Sequence, residues 1–244
     1  MPDLEWNYAT WNHGHGWQSA GDEWSVAWGG ASSQWYGSVL PRIRNCLPAR
    51  TTLEIAPGHG RWTQFLLRHC ERYFGVDISD KCVDVCRRRF AAFANARFIQ
   101  NDGVSLAMIP DHCVDFVFSY DSLVHVEIDV IREYIWQICA KLSPAGFAYI
   151  HHSNAGNSCS VASEAAAGAR AGTVSSSIVK ELVEDCSGHV VLQEEVNWIG
   201  RSRTDCMTLF SLAKPNRPYV LLENDQFIEE MELVRRYQSP YGSV

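Results

Sequence analysis

The sequence lacks the features of a membrane-spanning or secreted protein. It has no run of about 18 apolar residues, the length that a helix needs to cross a bilayer. Its N-terminus has no basic region followed by an apolar core, so we expect no signal peptide. There is no long basic run and the net charge is −7, which argues against an extended nucleic-acid surface. These absences predict a cytoplasmic chain whose partners include neither a membrane nor a nucleic acid.

The nine cysteines form no C-x-x-C pair. Cys82 and Cys86 would be neighbours on a helix, but no histidine or further cysteine stands nearby in the sequence to complete a zinc site. We therefore expect reduced thiols inside a protein core and no bound metal.

The first 40 residues differ in composition from the rest of the chain. They hold six of the nine tryptophans, namely Trp6, Trp11, Trp17, Trp24, Trp28 and Trp35. Aromatic rings at this density are costly to leave in water. We predict an N-terminal aromatic lid over residues 1–40, which covers one large domain over residues 41–244. The alternative is a flap that only packs on that domain.

Residues 51–63, with the sequence TTLEIAPGHGRWT, predict a strand that runs into a glycine turn and then a helix. Gly58 and Gly60 have no Cβ, so the backbone can turn tightly there and approach a ligand closely. The N-terminus of the following helix offers free N–H groups to a ligand with lone pairs or negative charge. This stretch predicts a nucleotide-type site at the first strand–helix connection of an α/β sheet.

Acidic residues follow the next two predicted strands. Asp77 comes about 20 residues after the glycines, where an acid bonds a ribose hydroxyl in nucleotide-binding sheets. Asp102 follows a strand predicted over residues 96–100 and could accept a hydrogen bond from an amine such as adenine N6. The alternative for Asp102 is a plain turn residue.

Polar residues also follow two further predicted strands, at the carboxyl edge of the sheet. The strand over residues 114–119 leads to Tyr120 and Asp121, and His125 follows about one helical turn later. The strand over residues 147–150 leads to His151 and His152. Ligands of open α/β sheets bind at the carboxyl ends of the strands. Because consecutive side chains of a strand point to opposite faces, only one of these two adjacent histidines can face the pocket.

The remaining pattern completes the sheet. Helices are predicted over residues 62–72, 80–94, 128–142 and up to residue 186, and a last amphipathic helix over residues 223–237. Residues 189–198 and 206–213 predict an antiparallel hairpin. Residues 154–173 are small and polar, which is typical of a mobile or substrate-side insertion.

The spacing of Glu54, Ala56, Gly58 and Gly60 resembles motif I of class I S-adenosylmethionine (SAM) methyltransferases, with alanine in place of the first glycine. The resemblance covers about residues 36–213. It implies a Rossmann-like sheet of seven mostly parallel strands, with helices on both faces and the last strand antiparallel. The stretches over residues 53–66, 121–127 and 151–154 are similar to those of bacterial methyltransferases that act on sugars or secondary metabolites. Segments 23–25 and 34–37 resemble the same subgroup.

The strand ends and the resemblance together give a set of site residues. The predicted cofactor site comprises Glu54, Ala56, Pro57, Gly58, Gly60, Trp62, Thr63, Asp77, Ile78, Asp102, Gly103 and Tyr120. The predicted substrate site comprises Trp17, Trp35, Tyr36, His151, Asn154 and Arg170. The sequence S-Y-D-S stands where DNA-adenine and glutamine methyltransferases have N-P-P-Y, which favours a small-molecule acceptor.

The resemblance implies in-line transfer of the SAM methyl group to a hydroxyl or ring nitrogen of that acceptor. A hydroxyl acceptor must lose a proton, and histidine is the natural base near neutral pH. His125 or His152 is the predicted base, and Asp121 would orient the base or bind the substrate. The alternative is that these histidines are structural.

Three other functions stay open at this point. An N-methyltransferase would stack an aromatic heterocycle on the tryptophans of the lid. A SAM-binding module would lack activity. An NAD-dependent oxidoreductase is disfavoured, because Thr63 stands where a dinucleotide fingerprint has glycine or alanine. The oligomeric state is open between monomer and homodimer.

Overall fold

The computed structural model describes residues 3–157, 169–198 and 200–238. Eight strands occur in these ranges: β1 Ala49–Ile55, β2 Cys70–Asp77, β3 Ala96–Gln100, β4 Val114–Ser119, β5 Leu142–Ser153, β6 His189–Val196, β7 Asp205–Ser211 and β8 Val220–Asn224. They form one sheet in the order β3-β2-β1-β4-β5-β7-β6-β8. β1 and β4 are neighbours in this order, and they carry the glycine turn and the Tyr120 segment at their ends, so these two segments lie side by side.

The sheet is mostly parallel. β1 pairs in parallel with β2 and β4, while β3 and β5 extend the parallel set on either side. β7 runs antiparallel to both β5 and β6, as the predicted hairpin requires. β8 then pairs in parallel with β6 and forms an edge. The sheet therefore has eight strands instead of the predicted seven.

Eight α-helices lie within the described ranges: α1 Leu4–Ala9, α2 Ala31–Gln34, α3 Leu40–Ile43, α4 Thr63–Leu66, α5 Asp80–Arg89, α6 Ile128–Lys141, α7 Ser176–Asp185 and α8 Phe227–Gln238. Two of them begin at serine caps, because the Ser79 hydroxyl accepts from the N–H of Cys82 and the Ser175 hydroxyl from that of Ile178. No helix in the described part of the chain is long and apolar enough to cross a bilayer.

The core has one layer on each face of the sheet. Strand β4 is buried on both sides, so its consecutive residues Phe116 and Val117 point into different layers of the core. One layer is aliphatic, with Leu53, Ile55, Ile135 and Ile138 among its members. The other is aromatic and contains Trp28, Trp35, Trp62, Phe118 and Tyr149. Of the six N-terminal tryptophans, Trp28 and Trp35 therefore belong to this core, and the other four lie outside it.

Two predicted elements differ clearly from the structure, and a third lies mostly outside the described residues. The helix predicted over residues 62–72 is only α4 and a 3-10 turn over residues 67–69, since β2 already begins at Cys70. The residues from Val220 to Asn224 form strand β8, so the last helix begins at Phe227 instead of Glu223. Most of the small, polar stretch over residues 154–173 lies outside the described residues.

Candidate functional site

A cavity of about 540 Å³ lies at the carboxyl edge of the parallel strands. Its size is that of a small-molecule site. The cavity is lined by the glycine turn after β1, the ends of β2 and β4, the turn after β3, the N-terminal segment, and three residues from later in the chain, namely Ala169, Arg170 and Trp198. Segments far apart in the sequence thus share one pocket.

The glycine turn borders the cavity, and the neighbouring rings leave little space for a Cβ at its glycines. Ala56, Gly58 and Gly60 all have a positive φ, at 56°, 57° and 88°. A Cβ added at Gly58 would lie 2.8 Å from the ring of Trp17. A Cβ added at Gly60 would lie 2.4 Å from the ring of Phe90, on the side of helix α5. Gly58 is therefore the glycine that lines the cavity, whereas Gly60 serves helix packing.

Asp77, at the end of the neighbouring strand β2, contacts the glycine turn, and together they form a cradle at the edge of the cavity. Its Oδ2 accepts a hydrogen bond from the N–H of Gly58 at 2.9 Å, and its Oδ1 accepts from the N–H of Ser79 at 2.9 Å. Burial raises the pKa of this carboxyl to about 6. Asp77 and Ile78 both line the cavity.

Glu54 lies beneath the turn and does not line the cavity. Its Oε2 accepts hydrogen bonds from the hydroxyls of Thr63 and Tyr73, and burial raises its pKa to about 7. The predicted cofactor residues Glu54 and Thr63 thus bond each other. They hold β1, β2 and α4 together instead of facing the pocket.

The two predicted cofactor residues in the turn after β3, Asp102 and Gly103, lie in different surroundings. Gly103 lines the cavity, and a Cβ added there would lie 2.7 Å from Ile78 and 2.9 Å from Leu4 of α1. Asp102 is exposed, and its Oδ1 accepts from the N–H groups of Val104 and Ser105. In this arrangement the Asp102 side chain caps the turn, and the backbone of Gly103 meets the cavity.

A chain of buried charges begins at the end of β4. Asp121 accepts from Arg61 at 3.0 Å and lies 3.7 Å from Arg170. Arg170 in turn lies 2.8 Å from Asp205. Burial favours the neutral acid, but Arg170 and His151 outweigh it and hold the pKa of Asp205 well below its usual value. Arg61, Asp121 and Arg170 line the cavity, with Asp205 fully buried behind them.

The three candidate histidines differ in their hydrogen bonds. His151 accepts at Nδ1 from the N–H of Asp121 at 3.1 Å, so its Nε2 carries the proton that faces Asp205 at 3.0 Å. His152 donates from Nδ1 to the carbonyl of Ser153, and its Nε2 lies 2.8 Å from the hydroxyl of Thr208. Both nitrogens of each ring are therefore occupied, and the placement of His152 away from the cavity does not support its predicted role as base.

His125 has a free ring nitrogen. Its Nδ1 lies 2.9 Å from the carbonyl oxygen of Ala169, which can only accept, so Nδ1 carries the proton. Nε2 then bears the lone pair and makes no hydrogen bond to any residue that the structure describes. Burial, with the nearby charge of Arg170, lowers the pKa of His125 and keeps the ring neutral near pH 7. His125 lines the cavity.

The N-terminal segment contacts the cavity through several aromatic rings. Trp17 stacks on His59 of the glycine turn, with ring centres 4.2 Å apart. Trp11 lies 5.4 Å from His125. The amide of Asn7 donates to the carbonyl of His125 at 2.8 Å. These contacts bring the segment against both the glycine turn and the candidate base.

Four residues of the predicted substrate site do not line the cavity: His151, described above, and the three that follow. Trp35 is fully buried in the aromatic core, where it stacks on Phe65 at 4.9 Å. Tyr36 is 58% exposed. Asn154 is buried, and its amide bonds the carbonyl of Arg203 and the N–H of Ser176. None of the three lines the cavity, because the surrounding elements turn their side chains into the core or toward solvent.

Among the residues that were not predicted from the sequence, Arg61 and Trp198 line the cavity and Asp205 pairs with Arg170 behind it. Arg61 follows the last glycine of the turn, and its guanidinium lies over the ring of Trp62 at 4.5 Å. Trp198 follows β6, whose carboxyl end lies at the same edge as those of β1 and β4, so the strand-end rule could have found it. Asp205 begins β7, and the antiparallel direction brings the start of that strand to the same edge.

Comparisons with known proteins agree with this geometry. Residues 52–146 match the family model described as "Methyltransferase domain". In sequence, the chain is 33% identical over 55 residues to the ribosomal RNA small subunit methyltransferase A of Dehalococcoides mccartyi strain CBDB1. That match covers 22% of this chain and 19% of the relative, so the chain aligns with about a fifth of the length of the curated relatives it matches.

Solved structures with the same fold match a larger share of the chain than these relatives do. The N-methyltransferase NodS of Bradyrhizobium japonicum WM9 is 13% identical, with a TM-score of 0.56 over 72% of this chain and 94% of that one. A candidate sarcosine dimethylglycine methyltransferase of Galdieria sulphuraria is 14% identical, with a TM-score of 0.59 over 75% of this chain and 85% of that one. At such identities the likeness concerns the fold.

The matched segment begins in β1 and ends in β5, so it contains the glycine turn, Asp77 and His125. The cavity at the ends of these strands has the cradle and the acid that a nucleotide-type cofactor needs. Residues 52–146 therefore resemble a methyltransferase domain, and the described sheet has the fold of solved methyltransferases, which supports SAM as the cofactor.

Proposed function

We propose that this chain transfers the methyl group of SAM to a hydroxyl or ring nitrogen of a small molecule, with His125 as the general base. The observation that carries the proposal is the state of the His125 ring. It is neutral, lines the cavity, and has a lone pair on Nε2 that no described residue occupies. A general base needs those three properties together.

The cofactor would lie along the cradle. Asp77 and the backbone of Gly58 fit its ribose and methionine portions, while Ile78, Gly103 and Leu4 fit the adenine ring. When bound, SAM supplies a methyl group on a sulfonium, which is already an activated leaving group. The protein's part is then to hold the acceptor in line and to exclude water.

His125 moves the proton. With SAM bound to supply the methyl group and leave as S-adenosylhomocysteine, Nε2 of His125 would take the proton that the acceptor hydroxyl loses. The carbonyl of Ala169 keeps Nδ1 protonated, so the ring that forms is an imidazolium with a hydrogen bond on Nδ1. Asp121 lines the same cavity and lies near enough to His125 to favour that charge electrostatically.

The N-terminal segment would act as the lid of this site. Trp17 on the glycine turn and Trp11 beside His125 place apolar surface over both the cofactor and the acceptor regions. Such a cover would exclude water during transfer and move to release product. Residues 1–40 would then be the lid and residues 41–244 the methyltransferase domain.

The acceptor is proposed to be small, since the charged and aromatic side chains converge on one enclosed cavity. The Galdieria protein is named for two small acceptors, sarcosine and dimethylglycine, which supports this class. The ribosomal RNA methyltransferase match is short, and the net charge of −7 does not favour a polyanion. A cytoplasmic role in secondary-metabolite or sugar modification fits such an acceptor.

A second candidate is N-methylation of an aromatic heterocycle. The cavity wall includes the rings of Trp24, Trp62, Tyr120 and Trp198, on which a flat acceptor could stack. A ring nitrogen of low basicity would need no base. The two candidates therefore differ in their need for His125.

Calorimetric titration with SAM, S-adenosylhomocysteine and NAD tests the cofactor site first. We expect the two SAM species to bind and NAD not to bind; binding of NAD alone would refute the proposal. Turnover is then compared between hydroxyl and ring-nitrogen acceptors for the wild-type chain and His125→Asn. A loss confined to hydroxyl acceptors supports the base, and equal rates for both variants would refute it.

A further inference from the structure

Strand β8 forms an edge of the sheet and carries an exposed apolar run. Tyr219, Val220, Leu221 and Leu222 are 38%, 40%, 44% and 44% exposed. Because consecutive residues of a strand point to opposite faces, both faces of β8 expose apolar side chains. One side of the strand pairs with β6, and no strand in the described part of the chain pairs with its other side.

Such an edge is a template for pairing with another strand. Natural edges are usually protected by charge, by a bulge or by a covering element, whereas three consecutive residues of β8 are aliphatic. The charges stand at the two ends instead. Arg217 precedes the strand, and Glu223 and Asp225 stand at its end.

This distribution selects the direction of a partner strand. A second copy of β8 in the parallel direction would place basic residues beside basic residues and acidic beside acidic. An antiparallel copy places the basic start of one strand beside the acidic end of the other. Opposite charges across a strand pair stabilise it, and like charges destabilise it.

We propose that two copies of this chain associate through β8, antiparallel, about a two-fold axis at Leu221. This register places Leu221 opposite Leu221 of the partner subunit, and Val220 opposite the partner's Leu222. Tyr219 then faces the partner's Glu223, and Arg217 faces the partner's Asp225. Apolar residues meet apolar residues at the centre, and Arg217 meets an opposite charge at each end. Such self-complementarity is what a two-fold interface requires.

Arg217 and Asp225, the two charged groups that this register pairs, are both exposed. Arg217 is exposed and makes no ion pair within the described ranges. Asp225 is 69% exposed and lies 3.6 Å from Nε of Arg203, which also contacts Glu223 at 2.8 Å. A strand pair of this length covers less surface than a standard stable interface, so the dimer should dissociate on dilution.

Cysteine cross-linking of the full chain tests the register. Residues directly opposite in an antiparallel pair have Cα atoms about 4.5–5.5 Å apart, which a disulfide can bridge. Under mild oxidation Leu221→Cys should therefore give a covalent dimer on a non-reducing gel. Val220→Cys and Leu222→Cys should not cross-link singly, and the double variant should. The wild-type chain, with its own nine cysteines, is the background control.

Sedimentation of the uncrosslinked proteins tests the interface in solution. The wild-type chain should show twice its monomer mass at high concentration. Leu221→Glu, which puts two like charges on the axis, should be monomeric. Arg217→Asp should raise the dimer dissociation constant at least several-fold, and adding Asp225→Arg should recover most of that loss. Arg88→Asp, an exposed charge on α5 near the opposite sheet edge, is the matched control.

The proposal is wrong if the wild-type chain is monomeric at every concentration, or if Leu221→Glu leaves a dimer intact. It is also wrong if Leu221→Cys fails to cross-link, or if the single variants at residues 220 and 222 cross-link as well as it does. Circular dichroism should show that Leu221→Glu remains folded, since Leu221 is 44% exposed in the single chain.

Discussion

Nδ1 of His125 lies 2.9 Å from the carbonyl oxygen of Ala169, and this contact fixes the tautomer of the ring. A carbonyl oxygen can only accept, so the lone pair of the imidazole belongs to Nε2. The neighbouring histidines have no such free nitrogen, because Asp121 and Asp205 occupy one ring and Ser153 and Thr208 the other.

His125→Asn should lower turnover on a hydroxyl acceptor by about 10²–10⁴-fold, the usual contribution of a positioned base. The affinity for SAM, measured by calorimetry, should stay unchanged, because the base acts on the acceptor. His112→Asn is the matched control, since His112 is exposed and asparagine tolerates its positive φ of 54°. Equal turnover of both variants would contradict the assignment.

The rate on a hydroxyl acceptor should fall on the acid side. Burial lowers the pKa of His125 below its usual value near 6.5, so the ring stays neutral through pH 7 and becomes protonated only at lower pH. A base must be deprotonated, and activity is therefore lost as pH falls through the lowered pKa. The pH profile of kcat/KM for the wild-type chain checks this. An acid limb with a midpoint above pH 6.5 would contradict it.

Stability should also fall in acid because of His152. Burial lowers the pKa of this histidine to about 4, against 6.5 when it is exposed. The unfolded chain then binds the proton first, so stability is present above pH 6.5 and declines as pH falls toward 4. At about 1.4 kcal/mol per pKa unit, the loss from this group amounts to roughly 3 kcal/mol.

Urea denaturation between pH 7 and pH 4 measures that loss. His152→Gln should show a shallower decline in the free energy of unfolding than the wild-type chain, since glutamine does not titrate. Slopes that match in the two proteins would show that other groups account for the acid sensitivity.

Gly58→Ala should weaken SAM binding at least about tenfold, or about 1.4 kcal/mol in free energy. The φ of 57° disfavours a Cβ, and the added carbon would lie 2.8 Å from Trp17. Calorimetry of Gly58→Ala with Trp17→Ala separates the two causes, since the double variant keeps the strain and removes the clash. Gly16→Ala is the control, because nothing lies within 4 Å of a Cβ at that position. Unchanged affinity in Gly58→Ala would contradict the placement of the cofactor on this turn.

Asp205→Asn should destabilise the chain by about 3–5 kcal/mol, because it removes the negative charge from the buried ion pair with Arg170. Asparagine keeps a single acceptor oxygen, so the Nε2–H of His151 and the guanidinium of Arg170 would compete for it. The midpoint of urea denaturation measures the change. Asp129→Asn also removes an ion pair, but Asp129 is 88% exposed, so its midpoint should hardly move. A midpoint for Asp205→Asn that equals the wild-type value would show that the pair contributes nothing net.

Local sequence patterns predicted most of the sheet. Strand boundaries at Val114–Ser119 and Ala96–Gln100 follow from short apolar runs, and the hairpin of β6 and β7 from alternation. The sequence predicted no strand at the apolar residues of β8, since a short run between a loop and a helix has no period that separates strand from coil. Only pairing with β6 makes that segment a strand.

Within the site, the sequence alone determined which segments meet. Parallel strands end at one edge, so the glycine turn, Asp77, Tyr120 and the histidines had to collect there. It could not rank the histidines, since each has the same two ring nitrogens.

Tertiary structure made that choice. His125 is bonded by a carbonyl 44 positions away in the chain, and His151 by an aspartate 54 positions away. Arg61 joins the same cavity through Asp121, 60 positions further on. Hydrogen bonds over such separations depend on how the loops pack at the sheet edge. The sequence determines which side chain stands at each position. Its protonation state and any free lone pair depend on the neighbours that folding places around it.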